Sequence, residues 1–277
     1  MIRTLAHPGP VAVERVRALP CTARPLALTL PAGVPLLDAV AQAAGAAGVD
    51  AAWLELADVP MARLDHVRPG PDPTGEHAAW YDGPHAAPNA VLIRLGLHLG
   101  RRAGAPWLHG HGLWAGAQGV SGGHVLPDGA MLAEQATARG WALDGAQLEV
   151  AADPETRFDL FQPVATTATT TATGVDALLV TLRPNQDFAQ AIETAAARHG
   201  ITRATVHGLG SLVAPRFAQG CEESFATEIL LTDGGIDGGR AFLSAVVVGF
   251  GGRVSVAPLA RGGCGVCVTC EVLVRRA

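Results

Sequence analysis

The stretch Trp107-Leu-His-Gly-His-Gly-Leu-Trp114 sets two histidines two residues apart, His109 and His111, and a third, His124, follows in Gly122-Gly-His. In a β-strand, residues i and i+2 share a face, so the first two imidazoles point the same way. Ala115-Gly-Ala-Gln118 reads as a hairpin turn, with Gly116 supplying freedom in φ. Trp114 then pairs with Gly119, and the register sets His124 opposite His109. Directly opposed residues lie ~4.5–5.5 Å apart at Cβ, so three imidazoles converge. Neutral imidazole suits zinc, copper, nickel or iron. Zinc or another divalent transition metal is the expected cofactor. Three protein ligands leave a position for water or a small molecule, and a bound water could be acidified towards neutral pH and act as a nucleophile. The same three residues also have a metal-free reading, as hydrogen-bonded polar groups in a pocket or subunit interface. Eight of the ten histidines precede residue 125, which concentrates the chemistry in the first half of the chain.

Other motifs yield to plainer readings. Cys264-Gly-Val-Cys-Val-Thr-Cys270 has an iron–sulfur spacing, but the segment alternates like a strand. Cys264 and Cys270 would face one way and Cys267 the other, so these are expected to be core cysteines. Gly119-Val-Ser-Gly-Gly123 matches G-x-S-x-G. The helix a nucleophile elbow requires is opposed by two glycines and Pro127, so a strand after a turn is expected. Gly208-Leu-Gly-Ser211 lacks the third glycine and the helix of a nucleotide fingerprint, and a bulge or tight turn is expected. The acidic pairs Glu222-Glu223 and Asp153-Pro-Glu155 read as solvated loops. Trp107, Trp114 and Trp141 flank the histidines, either lining a pocket or packing in a core.

The elements that must position these residues occur twice. Leu28 to Val49 lies over Val180 to Ile201 without a gap from Leu30/Leu182 onward. Each copy reads strand, turn, helix, glycine, strand. In the second copy Phe188, Ala191, Ile192 and Ala195 form one apolar helical face, with Asn185 as N-cap and Gly200 as stop. In the first, Val34, Leu37, Val40, Ala41 and Ala44 form the matching face and Gly48 is the stop. The Thr-rich run Ala165–Gly174 reads as a linker. The expected organisation is an extension over 1–25, a first domain over 26–163, a linker over 164–175 and a second domain over 176–277. Each domain is α+β, a sheet packed on one principal helix.

The second copy, through Leu182…Asp187…Ala191…His199-Gly-Ile201, Gly208-Leu-Gly-Ser-Leu212 and Phe225-Ala-Thr-Glu-Ile-Leu230, resembles the PPC (plants and prokaryotes conserved) domain. The first resembles it through the same opening and through His109-x-His111…Gly122-Gly-His124. The resemblance implies an α+β fold that assembles as a trimer, and an association with DNA in plant members that comes largely from an AT-hook. No Arg-Gly-Arg-Pro element occurs here, so DNA binding is not carried over. Positions matching the three histidines in the second copy are Leu243, Ala245 and Pro258, so at most one such site per chain is expected. The second copy is expected mainly to support assembly.

Composition narrows the partners. The 277 residues carry a net charge of −5, no lysine and no basic run denser than a pair of arginines, unlike the basic stripe of a nucleic-acid binder. The longest apolar stretch, near Ala241–Phe250, is too short to cross a bilayer. No signal-peptide pattern opens the chain. Five cysteines do not suggest a disulfide framework. The expectation is a soluble cytoplasmic homo-oligomer, a trimer, with a metal site and a small-molecule pocket. Two other readings stand beside it: a DNA-associated regulatory scaffold, and a structural oligomer with inert histidines.

Overall fold

The computed structural model describes residues 1–166 and 175–277. The first half contains β1 (Val16–Leu30), α1 (Leu36–Ala46), β2 (Ala52–Leu56), β3 (Val59–Gly70), β4 (Trp80–Ala86), β5 (Val91–Arg102), β6 (Ala105–Gly116), β7 (Gly119–Leu132), β8 (Ala136–Asp144), β9 (Ala146–Ala152) and β10 (Asp159–Ala165). The second contains β11 (Ala177–Leu182), α2 (Phe188–Arg198), β12 (Ala204–Val213), β13 (Thr227–Asp237), β14 (Arg240–Val248), β15 (Val254–Pro258) and β16 (Gly265–Arg276). The fold is α+β.

The repeat is visible in the strand order. The first half runs β1-β8-β2-β5-β6-β7 and the second β11-β16-β12-β13-β14-β15, the same connectivity in the same sequence. The first half adds β3 and β4 beyond β7, and the β9–β10 hairpin. The halves join through their first strands, Val16–Cys21 running antiparallel to Leu182–Ala177. From Thr22 to Leu30, β1 pairs instead with β8. This strand therefore begins within the segment expected to be an extension. Its alternating burial includes Cys21 and Ala23 in the core. Of the expected linker, Val164 and Ala165 lie in β10, and 167–174 fall outside the described residues.

Three apolar clusters define the layers. One packs α1 on the first sheet through Leu36, Ala39 and Val40. Another packs α2 on the second sheet through Phe188, Ile192 and Ala195. The third lies between the sheets, with Trp53, Leu113 and Phe161 from the first half meeting Leu209, Leu230 and Leu273 from the second. Burying one face against a helix and the other against the sister sheet explains the near-continuous apolar runs of β11 and β16. The α1 face is turned slightly from expectation: Leu36 and Ala39 are buried, while Leu37 is only partly so.

Two further expectations are corrected. The N-cap of α2 is Asp187, whose carboxylate accepts from the Gln190 N–H. Asn185 instead adopts φ 62° and ties down the N-terminal segment, exchanging two hydrogen bonds with the Leu5 backbone. The acids Asp153, Glu155 and Glu222 are buried rather than solvated. They pair with Arg183, Arg15 and Arg253 respectively, because their loops fold back onto neighbouring strands. Cys264, Cys267 and Cys270 are buried and unbonded, the first and last in one core and Cys267 in another. The Gly119–Gly123 motif lies within β7. Gly210 sits at a break in the β12–β16 register with φ 145°.

Candidate metal centre

Strand β6 lies between β5 and β7. Its residues alternate between the α1 side, which takes Leu108 and Trp114, and the inter-sheet side, which takes Leu113. His109 and His111 share the parity of Leu113 and face the second repeat. The β6–β7 turn is tighter than expected: Gly116 pairs with Gly119, leaving two loop residues, and Gly119 takes φ 100°. His124 consequently pairs with His111 rather than with His109. The register moves by two residues, which preserves the face. The three rings come together with centroids 4.9 Å apart for His109–His111 and His109–His124, and 5.3 Å for His111–His124. One ligand atom from each lies within 4.8 Å of the others.

One hydrogen bond fixes the His111 tautomer. His111 Nδ1 is 2.8 Å from the Ile229 carbonyl oxygen, which can only accept, so Nδ1 carries the proton. Burial first, then the neighbouring His109 and His124, hold this imidazole well below its ordinary pKa, so it is neutral and Nε2 presents a lone pair. His109 Nδ1 lies 3.1 Å from Glu271 Oε2, an ion-pair contact without hydrogen-bond geometry. The two Nε2 atoms then face each other at 3.1 Å. With His111 Nε2 unprotonated, this contact takes either a proton on His109 Nε2 or a cation between the two rings. Donation of the far ring N–H to a carbonyl or carboxylate is also the arrangement that orients histidine on a metal. His124 has a buried Nδ1 with no partner among the described residues, and burial with the His109 charge pushes its pKa down to about 3.

The sequence reasoning missed Glu228 on β13 and Glu271 on β16. Glu228 Oε2 lies 3.1 Å from His111 Nε2. Burial, then the Glu271 charge, raises the Glu228 carboxyl well above its ordinary range. The second repeat therefore contributes side chains to the cluster as well as packing. The available signal was a single acid in each of two otherwise apolar strand runs, Thr-Glu-Ile-Leu-Leu and Cys-Glu-Val-Leu-Val.

A cavity of about 240 Å³ opens beside the cluster. His109, His124, Glu228 and Glu271 form part of its wall, with Trp107 and Phe161 among its aromatic lining. Trp114 is instead buried edge-on against His66, and Trp141 lies under the Arg275 guanidinium at 4.1 Å.

No family model and no curated relative matches the sequence. Solved structures do. A PPC protein from Pyrococcus horikoshii is 18% identical, with a TM-score of 0.38, covering 52% of this chain and 95% of its own. A metal-containing protein from Archaeoglobus fulgidus is 18% identical, with a TM-score of 0.38, covering 50% and 93%. A candidate DNA-binding protein from Ralstonia eutropha is 17% identical, with a TM-score of 0.37, covering 49% and 89%. Each of these structures spans about half of this chain. Among the described residues no helix is long and apolar enough to cross a membrane.

Proposed function

We propose that this chain is a tandem PPC-like metal-binding protein in which His109, His111 and His124 hold one divalent transition metal, zinc foremost, beside a small-molecule pocket. The observation that carries the reading is the convergence of the three imidazoles, with His109 Nε2 3.1 Å from His111 Nε2 and the His111 ring held by the Ile229 carbonyl. Zinc–nitrogen bonds of ~2.0–2.1 Å place tetrahedral donors about 3.3 Å apart, close to the 3.1 Å between these nitrogens. The aromatic wall of the cavity suits a small, partly apolar ligand. Untagged protein purified without chelator should contain about one metal per chain, lost in His109→Ala with His111→Ala. Metal content near zero in the unmutated protein would refute the reading.

Self-association is part of the same proposal. Val91, Ala115 and Val120 lie side by side across β5, β6 and β7, with Val91 and Val120 exposed. They form an apolar row suited to a second copy. The proposed assembly is three chains, six PPC-like domains, and light scattering giving a clean monomer would refute it.

A further inference from the structure

The three histidines leave two acids without an electrostatic explanation. Glu228 and Glu271 point from the second repeat into the histidine face, their side chains 9% and 1% exposed. Among the described residues, the ion-pair contacts they make are to His111 and His109 alone. No arginine approaches either within pairing distance, although buried acids elsewhere in the chain each have one. Ionised carboxylates at this depth need positive charge beside them. A divalent cation would supply both charges at once.

The geometry points to a ligand set that spans the two repeats: His109, His111 and His124 from the first and Glu228 from the second. Glu271 stays outside the set, its Oε2 3.1 Å from His109 Nδ1 on the far side of that ring. The inference rests on the metal reading above and adds its fourth donor. His111 Nε2 lies 3.1 Å from both His109 Nε2 and Glu228 Oε2. Both separations approach the edge of a zinc tetrahedron, about 3.3 Å for bonds of ~2.0–2.1 Å. Glu228 reaches the cluster because Ile229, the next residue on β13, receives the His111 Nδ1–H on its carbonyl. One strand thus both orients a ligand and supplies one. With four protein donors the metal is enclosed by protein, as in structural zinc sites, and holds the repeats together across their inner faces.

Cobalt(II) in place of zinc tests this in the full-length chain, because its visible spectrum reports the donor set. With Glu228 bound, excess azide leaves the spectrum of the unmutated protein unchanged. Glu228→Gln should bind cobalt at least about ten-fold more weakly, with an altered spectrum that responds to azide. Glu271→Gln should weaken binding while keeping the band positions and the indifference to azide. A Glu228→Gln protein with unchanged cobalt affinity and spectrum would overturn the assignment. So would an azide response in the unmutated protein, a result that stands even if the variant fails to fold. Failure of the unmutated protein to bind cobalt or zinc would overturn the three-histidine reading itself, and this inference with it.

Discussion

Glu55 offers a sharp test of how the two repeats are held together. It lies on β2 with its carboxylate between the sheets. Oε1 accepts from Trp53 Nε1 at 3.0 Å and lies 3.2 Å from His207 Nδ1. Oε2 accepts from Arg94 Nη2 at 2.7 Å, and Arg94 Nη1 donates to the Thr232 carbonyl at 2.8 Å. His207 and Thr232 belong to the second repeat, so one carboxylate organises contacts across the junction. Burial alone would raise its pKa. The His207, Trp53 and Arg94 contacts outweigh burial and hold it at about 2, against an ordinary 4.5. At 1.36 kcal/mol per pKa unit that difference is about 3 kcal/mol. Solvent reaching a side chain 27% exposed reduces it to about 2 kcal/mol. Because the folded pKa is depressed, the unfolded chain binds the extra proton between about 2 and 4.5. The contribution is complete above pH 4.5, about half gone by pH 3 and lost as pH falls through 2. Glu55→Gln keeps the shape and removes the charge. Urea unfolding of both proteins in chelator should show the variant about 2 kcal/mol less stable at pH 7, the gap narrowing below pH 4.5. A gap that stays constant from pH 7 to 3, or no gap, would refute the argument.

Free zinc at about 100 times its Kd should stabilise the fold by about 2.7 kcal/mol. That raises Tm by about 5–10 °C for a chain of this size, and the double variant His109→Ala, His111→Ala should show no rise. A thiol reagent should label one cysteine quickly in the native protein, Cys221, which is exposed. Cys21 and Cys267 are buried with thiols pushed up to about 12, and Cys264 to about 11, so fast labelling of two or more would contradict the packing. Gly210→Ala should cost about 3 kcal/mol in a urea melt, since a Cβ there would sit 2.4 Å from the Thr269 carbonyl oxygen, at a φ that L residues avoid. Unchanged stability would show that the strand is misplaced.

The sequence made the local chemistry readable and left the long-range part hidden. The i, i+2 spacing of His109 and His111 was enough to set their common face, because strand parity needs no partner. The position of His124 depended on the length of one turn. The error there, two residues, was harmless only because it was even. Glu228 and Glu271 follow the first histidine by more than a hundred residues. Nothing local says which face of which sheet will meet them. Asn185 and Asp187 offer the same capping chemistry two residues apart, so local sequence does not choose between them. Only contact with Leu5, 180 residues away, decides between them. Residues 16–21 read as an extension because their partner, β11, lies beyond the Thr-rich run, and residues 22–25 because theirs, β8, lies more than a hundred residues on.

The antiparallel meeting of β1 and β11 makes this chain a dimer written as one gene product. Each half carries a helix-backed sheet on one side and, on the other, an apolar face covered by its sister, the first bearing the histidines and the second the acids Glu228 and Glu271. Severed within 167–174, the two fragments would each present that face to water, and each would need the other to be soluble. Co-expressed, they should reassemble into a two-chain protein, and recovery of stoichiometric metal would report the reunion, because the histidines and the acids then arrive on separate polypeptides.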